Sequence, residues 1–262
     1  MKILVVILTL NLLGACSSIP DKQDLSEDNK AFVAATLWFQ KAAEARALYY
    51  QGFNVAKWRL AESLKRKPAK KLAVVVDIDE TILDNSPYQA SAINKNYTYP
   101  TGWKEWIAAS QAKALAGALD FITFAHQKKV AVFYISNRKI SGKAATIANL
   151  KSLGFPFKED NILLRTKESS KKSRRAQVLK NYSIALLIGD NLDDFSEIFE
   201  KRSIQGRLLA TDEARKEFGK KFIILPNPMY GTWLGAVYDY NWSLSVDEKV
   251  LKRKSELVEI GQ

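Results

Sequence analysis

The stretch Leu72-Ala73-Val74-Val75-Val76-Asp77-Ile78-Asp79-Glu80-Thr81 decides how the chain is read. Five apolar, mostly β-branched residues run without a break and then give way to carboxylates. Alternation would mark a strand with one wet face; a continuous run marks a strand buried on both faces, as in a parallel sheet covered by helices. Similar runs lie at 130–135, 184–188 and 222–225, with a shorter one at 162–164. Between several of them the apolar spacing is helical, over 116–126, 142–153, 174–179 and 192–199. Strands alternating with helices predict an α/β fold, a parallel sheet with helices on both faces. In such sheets ligands bind beyond the carboxyl ends of the strands, and Asp77 stands at one of them.

Upstream, residues 30–65 carry helical spacing, with a second helix expected from about Phe53 to Leu64 and an end at Lys65-Arg66-Lys67-Pro68. The segment 87–115 interrupts the alternation and is aromatic (Tyr88, Tyr97, Tyr99, Trp103, Trp106). It is expected to form, with the N-terminal helices at 30–66, a smaller, mainly helical cap over a core at 67–262. No internal repeat is evident.

The N-terminus is an address. Met1-Lys2 precedes an apolar run from Ile3 to Leu13, too short to span a bilayer, and then Leu13-Gly14-Ala15-Cys16. Residues 1–15 are expected to be a lipoprotein signal peptide, with Cys16 lipidated and residues 16–29 a polar tether. Ser17 after the cysteine matches an outer-membrane sorting pattern, so the expected location is the bacterial outer membrane, the protein held there by its lipid. An ordinary secretory signal is the alternative.

Composition narrows the chemistry. The 262 residues include one cysteine and one histidine, so no internal disulfide and no Cys/His zinc site can form. His126 falls near a helix end and is expected to be solvated. Reactions must run on carboxylates, hydroxyls, lysines and a hard cation. The 40 Lys+Arg against 28 Asp+Glu give a net charge of +12, which favours anionic partners without locating them. A nucleic-acid polymer is not expected, and a homodimer is left open.

Each strand end carries a signal that is weak alone. Asp77 and Asp79, two apart on extended chain, share a side and can act as nucleophile or metal ligand and as acid/base. Gly189-Asp190-Asn191-Leu192-Asp193-Asp194 is a second acidic cluster, rich in the oxygen donors that suit Mg²⁺. Helix capping would explain either cluster singly; two of them at neighbouring parallel strand ends call for a compensating cation. Ser136-Asn137-Arg138 places a hydroxyl that can donate to a phosphate or simply cap a helix. The basic run 165–175 holds a lysine able to offset phosphoryl charge, with Lys167, Lys171 and Lys172 as candidates.

These elements, in this order, resemble the haloacid dehalogenase superfamily and, more closely, the class C acid phosphatases, bacterial lipoproteins that carry four aspartates. The likeness takes in Asp84-Asn85-Ser86-Pro87-Tyr88 and Pro226-Asn227-Pro228-Met229-Tyr230-Gly231. It implies a haloacid dehalogenase-type core and Asp77 as the nucleophile that forms an aspartyl-phosphate. Asp79 would be the acid/base. Mg²⁺ would be held by Asp77, Asp79 through its backbone carbonyl, Asp190 and Asp194. Ser136 would bind phosphate, Lys172 would be the best match to the family lysine, and Asn137, Arg138, Tyr88 and Tyr230 would be substrate contacts. The implied substrates are small phosphomonoesters, with nucleoside 5′-monophosphates or nicotinamide mononucleotide preferred because aromatic side chains stack on flat groups. Transfer of the phosphoryl group to an alcohol, and a catalytically silent binding lipoprotein, are the alternatives.

Overall fold

A computed structural model describes residues 26–66 and 68–261. The expected signal peptide, Cys16 and most of the expected tether lie outside the described residues. The strands are β1 (Leu72–Val76), β2 (Leu83–Asp84), β3 (Lys113–Ala114), β4 (Ala131–Lys139), β5 (Ile162–Arg165), β6 (Ser183–Gly189) and β7 (Phe222–Ile224). The helices are α1 (Glu27–Lys41), α2 (Ala43–Lys65), α3 (Ser86–Asn94), α4 (Trp103–Ala109), α5 (Ala118–Gln127), α6 (Lys143–Ser152), α7 (Lys172–Asn181), α8 (Ile204–Glu213), α9 (Thr232–Val237) and α10 (Val246–Ser255).

Five strands form one parallel sheet in the order β5-β4-β1-β6-β7, as the continuous apolar runs require. Alternation within the runs divides the core between the two faces. Val74 and Val76, with Val132, Tyr134, Leu186 and Ile188, pack under α2, α5 and α6. Ala73 and Val75, with Phe133, Ile135, Leu187 and Phe222, pack under α7 and α8. Val74 and Val76 are fully buried, worth about 1.5–3 kcal/mol each in area removed from water.

Two helical expectations need correcting. The N-terminal helices break at Ala42 (φ −70°, ψ 126°), not before Phe53. Gly52 lies inside α2 because the helix crosses the sheet edge there: a Cβ at Gly52 would sit 2.5 Å from Leu225 Cδ2. The helix expected over 192–199 is two short 3₁₀ turns, Leu192–Asp194 and Glu197–Phe199. Asn191 and Asp194 close a capping box around the first turn, fixing its shape through side chains rather than through helical periodicity.

The N-terminal helices also divide between the layers. α1 packs on α3 of the insertion and on α10, whereas α2 lies against α5, β6 and β7 and belongs to the core. The insertion comprises α3, α4 and the two-stranded β2–β3 ladder, centred on Tyr88, Tyr97 and Trp103. His126 is exposed in the last turn of α5.

Candidate active site

β1 and β6 are neighbours, so the acidic segments that follow them converge. Asp77 continues the β1–β6 ladder through its N–H to Ile188 O (2.9 Å) and is 7% exposed. Carboxylate oxygens of Asp77, Asp190 and Asp194 lie within 4.8 Å of one another. The closeness depends on Gly189, where a Cβ would stand 2.2 Å from Asp194 Oδ2. The turn after β6 is held by Asn191 N donating to Asp194 Oδ2 at 3.0 Å. Asp190 accepts from Thr81 Oγ1 (3.0 Å) and from Asn227 Nδ2 (2.9 Å), which ties the first acidic loop and the 226–231 loop to the cluster.

Among the described residues one cation pairs with this cluster, and it is Lys171. Its Nζ pairs with Asp77 Oδ1 and, at 2.6 Å, with Asp194 Oδ1, and the side chain is buried. Lys172, the residue favoured from the sequence, points away: it is exposed and pairs with Glu197 at 3.0 Å. Lys167 is exposed as well. The physical reason is helix phase. α7 starts at Lys172 with Lys171 as its N-cap, so the lysine just before the helix faces the strand ends and the next one turns outward. The expected helix began at Arg174, which left that phase undetermined.

Burial pushes the Asp77 carboxyl well up, with Asp194 and Asp190 adding and Lys171 opposing. Asp190 is pushed up to about 7, by burial first and then by the charge of Asp194. Burial alone would lower Lys171, but Asp194 and Asp77 outweigh it and raise it. Among the described residues three carboxylates thus face a single ammonium. The donors are all oxygens, and their charge is under-compensated, which is the chemistry that suits a hard divalent cation such as Mg²⁺.

The Asp79 carboxylate is not part of this cluster. Its Oδ1 accepts from Arg138 Nε (2.9 Å) and Nη2 (2.8 Å) and from Asn85 Nδ2 (2.9 Å), and its Oδ2 accepts from Ser136 Oγ (3.1 Å). Alternation along β4 sends Ser136 and Arg138 inward and Asn137 outward. The substrate contact expected of Arg138 is replaced by this buried ion pair and a bond to Thr146 Oγ1 (3.2 Å). Asn137 is exposed at the mouth, its Oδ1 taken by Arg174 Nη2 at 2.7 Å; Arg174 also donates to Ser136 O at 2.6 Å.

Tyr88 and Tyr230 separate. Tyr88 is buried in the insertion, edge-on to Trp103, with its hydroxyl on Thr101 O (2.8 Å); it is a core residue and does not line the site. Tyr230 is half-buried and donates to Glu80 Oε2. Glu80, a residue the motif reading passed over, is fully buried in left-handed backbone (φ 55°) and accepts from Asn85 N at 2.8 Å. Burial, with Asp79 and Asp190 adding, pushes its carboxyl well up. Tyr49 of α2 donates to Glu80 O and to Pro226 O (3.1 Å). Trp106 Nε1 donates to Asn85 Oδ1 at 2.8 Å. A chain of bonds therefore runs from Tyr230 through Glu80 and Asn85 to Asp79. Sequence distance hid it: Tyr230 and Glu80 are 150 residues apart.

A family model described as HAD superfamily, subfamily IIIB (acid phosphatase) matches residues 15–233. The chain is similar to the class C acid phosphatase from Bacillus anthracis at 42% identity, covering 89% of this chain and 99% of that one, with a TM-score of 0.87. A tungstate-bound structure of that enzyme matches at 42% identity over 90% and 100% of the two chains, TM-score 0.88. A curated relative, the stem 31 kDa glycoprotein of Glycine max, is 27% identical over 164 residues, 60% of this chain. The match spans 58% of the length of that relative.

Proposed function

Starting from the fact that the chain belongs to the acid phosphatases of HAD subfamily IIIB, with the class C architecture, we propose that it is a lipid-anchored, Mg²⁺-dependent phosphomonoesterase that works through an aspartyl-phosphate. The observation that carries this is the buried Asp77 carboxylate between Lys171 and the Asp190–Asp194 pair.

Asp77 attacks phosphorus, forming an acyl-phosphate bond as the bond from phosphorus to the leaving alkoxide breaks. Asp79 gives its proton to that alkoxide and then takes one from the water that cleaves the acyl-phosphate. The Lys171 ammonium offsets charge on the transferred phosphoryl oxygens, and the Ser136 hydroxyl, turned from Asp79 Oδ2 when substrate is bound, donates to one of them. Arg138 and Asn85 fix the Asp79 carboxylate through the bonds described above. Asp77, Asp190, Asp194 and the Asp79 backbone carbonyl would hold Mg²⁺, which supplies charge neutralisation for an anionic nucleophile approaching an anionic substrate.

For substrate we propose nucleoside 5′-monophosphates, nicotinamide mononucleotide included. Tyr230 is supported from behind by Glu80, and Trp233, 42% exposed, adjoins the turn around Gly231 beside Asn191. Flat groups stack on such side chains. Lipidation at Cys16 would hold the enzyme on the outer membrane.

The test is phosphate release from a panel of nucleoside 5′-monophosphates, nicotinamide mononucleotide and an aryl phosphate, with and without Mg²⁺, beside Asp77→Asn. Metal-dependent release that the substitution abolishes supports the reading, and the ranking names the substrate class. A folded protein that releases no phosphate with any divalent metal refutes it. A mature N-terminus without a lipidated Cys16 refutes the anchor alone.

A further inference from the structure

The parallel sheet has two ends, and the site occupies only one. At the other end, β1, β4 and β7 are each entered directly behind or one residue beyond a lysine pair: Lys70-Lys71, Lys128-Lys129 and Lys220-Lys221. β5 and β6 are entered past single lysines, Lys158 and Lys180. Because all five strands point the same way, these loops lie together at the end remote from Asp77 and Asp190. All eight lysines are exposed. Among the described residues none of them forms an ion pair; Lys70 Nζ donates to Leu179 O at 3.2 Å, and Lys128 Nζ lies 5.8 Å from the Phe124 ring centre. Helix C-termini also point to this end and favour a cation each. That does not call for three pairs.

The exposed side chains of Leu179 and Trp58 stand within this basic end. Leu179 (49% exposed) adjoins Lys180 and Lys70. Trp58 (55% exposed) is covered by the Arg59 guanidinium, 4.1 Å from its ring centre, and Arg59 Nε donates to Gly219 O (2.8 Å) beside Lys220.

We propose that this end of the sheet is a docking face for an anionic lipid surface. The lysines supply the attraction to phosphate headgroups, and Trp58 and Leu179 supply the amphipathic and apolar contacts that suit the headgroup boundary. A soluble polyanion would use the lysines without needing Trp58. Docking in this orientation turns the mouth of the site away from the lipid, so substrate access is undisturbed. The arrangement also gives a place to part of the net charge of +12.

The test is cosedimentation of the full chain with vesicles of phosphatidylcholine alone and of phosphatidylcholine mixed with phosphatidylglycerol, at low and raised salt. Each lysine near an anionic surface is worth roughly a fivefold factor. We expect binding to favour the anionic vesicles by more than about tenfold and salt to erase the preference. Lys→Glu at all six paired positions should abolish the preference, with phosphate release unchanged and the melting temperature lowered as cations are lost from helix C-termini, and Trp58→Ala should weaken anionic binding several-fold. Because the comparison is between vesicle types, an apolar N-terminal segment that inserts into both does not mimic the result. Equal binding to both vesicles, insensitivity to salt, or an undiminished preference in the six-lysine variant overturns the proposal. So does equally tight binding to polyphosphate with no effect of Trp58→Ala, which would make this a polyanion site. If the six-lysine variant does not fold, Lys128→Glu/Lys129→Glu and the salt dependence of the natural chain decide the matter.

Discussion

Two adjacent lysines differ so sharply in environment that their removal should have very unequal consequences. Lys171 is buried between Asp77 and Asp194, and at the 2.6 Å contact with Asp194 its gross attraction is about 6 kcal/mol at an effective dielectric of about 20. Removing the ammonium returns its own desolvation cost but leaves two buried carboxylates unpaired. Breaking a buried pair in this way costs about 3–5 kcal/mol. Lys172 is 67% exposed and its partner Glu197 is 42% exposed, so screening limits that pair to about 0–1 kcal/mol. In urea unfolding of the metal-free protein, Lys171→Met should lose most of that larger figure, whereas Lys172→Met should leave the midpoint almost unmoved. In steady-state phosphate release with Mg²⁺, Lys171→Met should lower kcat by about 10²–10³, the usual effect of removing one preorganised donor to developing charge. Lys172→Met should retain activity. Circular dichroism of both variants separates lost chemistry from lost fold. If Lys172→Met abolishes turnover while Lys171→Met retains it, the assignment of the phosphoryl-facing cation is wrong.

Four further outcomes follow from the same geometry. Gly189→Ala places a methyl 2.2 Å from Asp194 Oδ2 and must displace that carboxylate; calorimetric titration should show Mg²⁺ affinity falling by more than tenfold, roughly 1.4 kcal/mol or more, with little change in the far-ultraviolet spectrum. In the metal-free protein Asp190, raised to about 7, holds its proton in the folded state between about pH 4 and about pH 7, where the unfolded chain has released it. That contribution is present at low pH and is lost as pH rises through about 7. Thermal melting should therefore show Mg²⁺ stabilising the protein more at about pH 8 than at about pH 5, and a larger gain at the acidic end would contradict the assignment. Tyr88→Phe removes a bond to Thr101 O inside the insertion and should lower the melting temperature without changing the ranking of nucleotides over aryl phosphate. Tyr230→Ala should compress that ranking, read as KM for nucleotides against KM for the aryl ester.

The parts of the fold that were legible are those where burial is two-sided. Val74 and Val76 face one layer of helices and Ala73 and Val75 the other, so the run admits only apolar residues and stands out. The acidic loops were legible because Asp77, Asp190 and Asp194 cluster as short motifs at the ends of neighbouring strands. What escaped depends on angular phase or on contacts distant in sequence. The choice between Lys171 and Lys172 turns on where α7 begins, and no capping side chain marks that point. The break at Ala42 has no proline or glycine, whereas Gly52, just before the expected helix start at Phe53, is a packing glycine within α2. Tyr88 and Tyr230 look alike as aromatics beside motifs; only the folded chain puts one in the insertion's interior and the other on Glu80. Arg138, expected to contact substrate, is turned onto Asp79 by alternation on β4.

The central claim is that Asp77 accepts the phosphoryl group. Its most direct test is an acid quench of the enzyme during turnover with Mg²⁺ and substrate, followed by mass spectrometry of the peptide that contains Asp77. The account predicts a peptide heavier by one phosphoryl group, the group lying on Asp77 and removed by hydroxylamine, and none in Asp77→Asn. Phosphate release without any such adduct at Asp77, or an adduct on another residue, would contradict it.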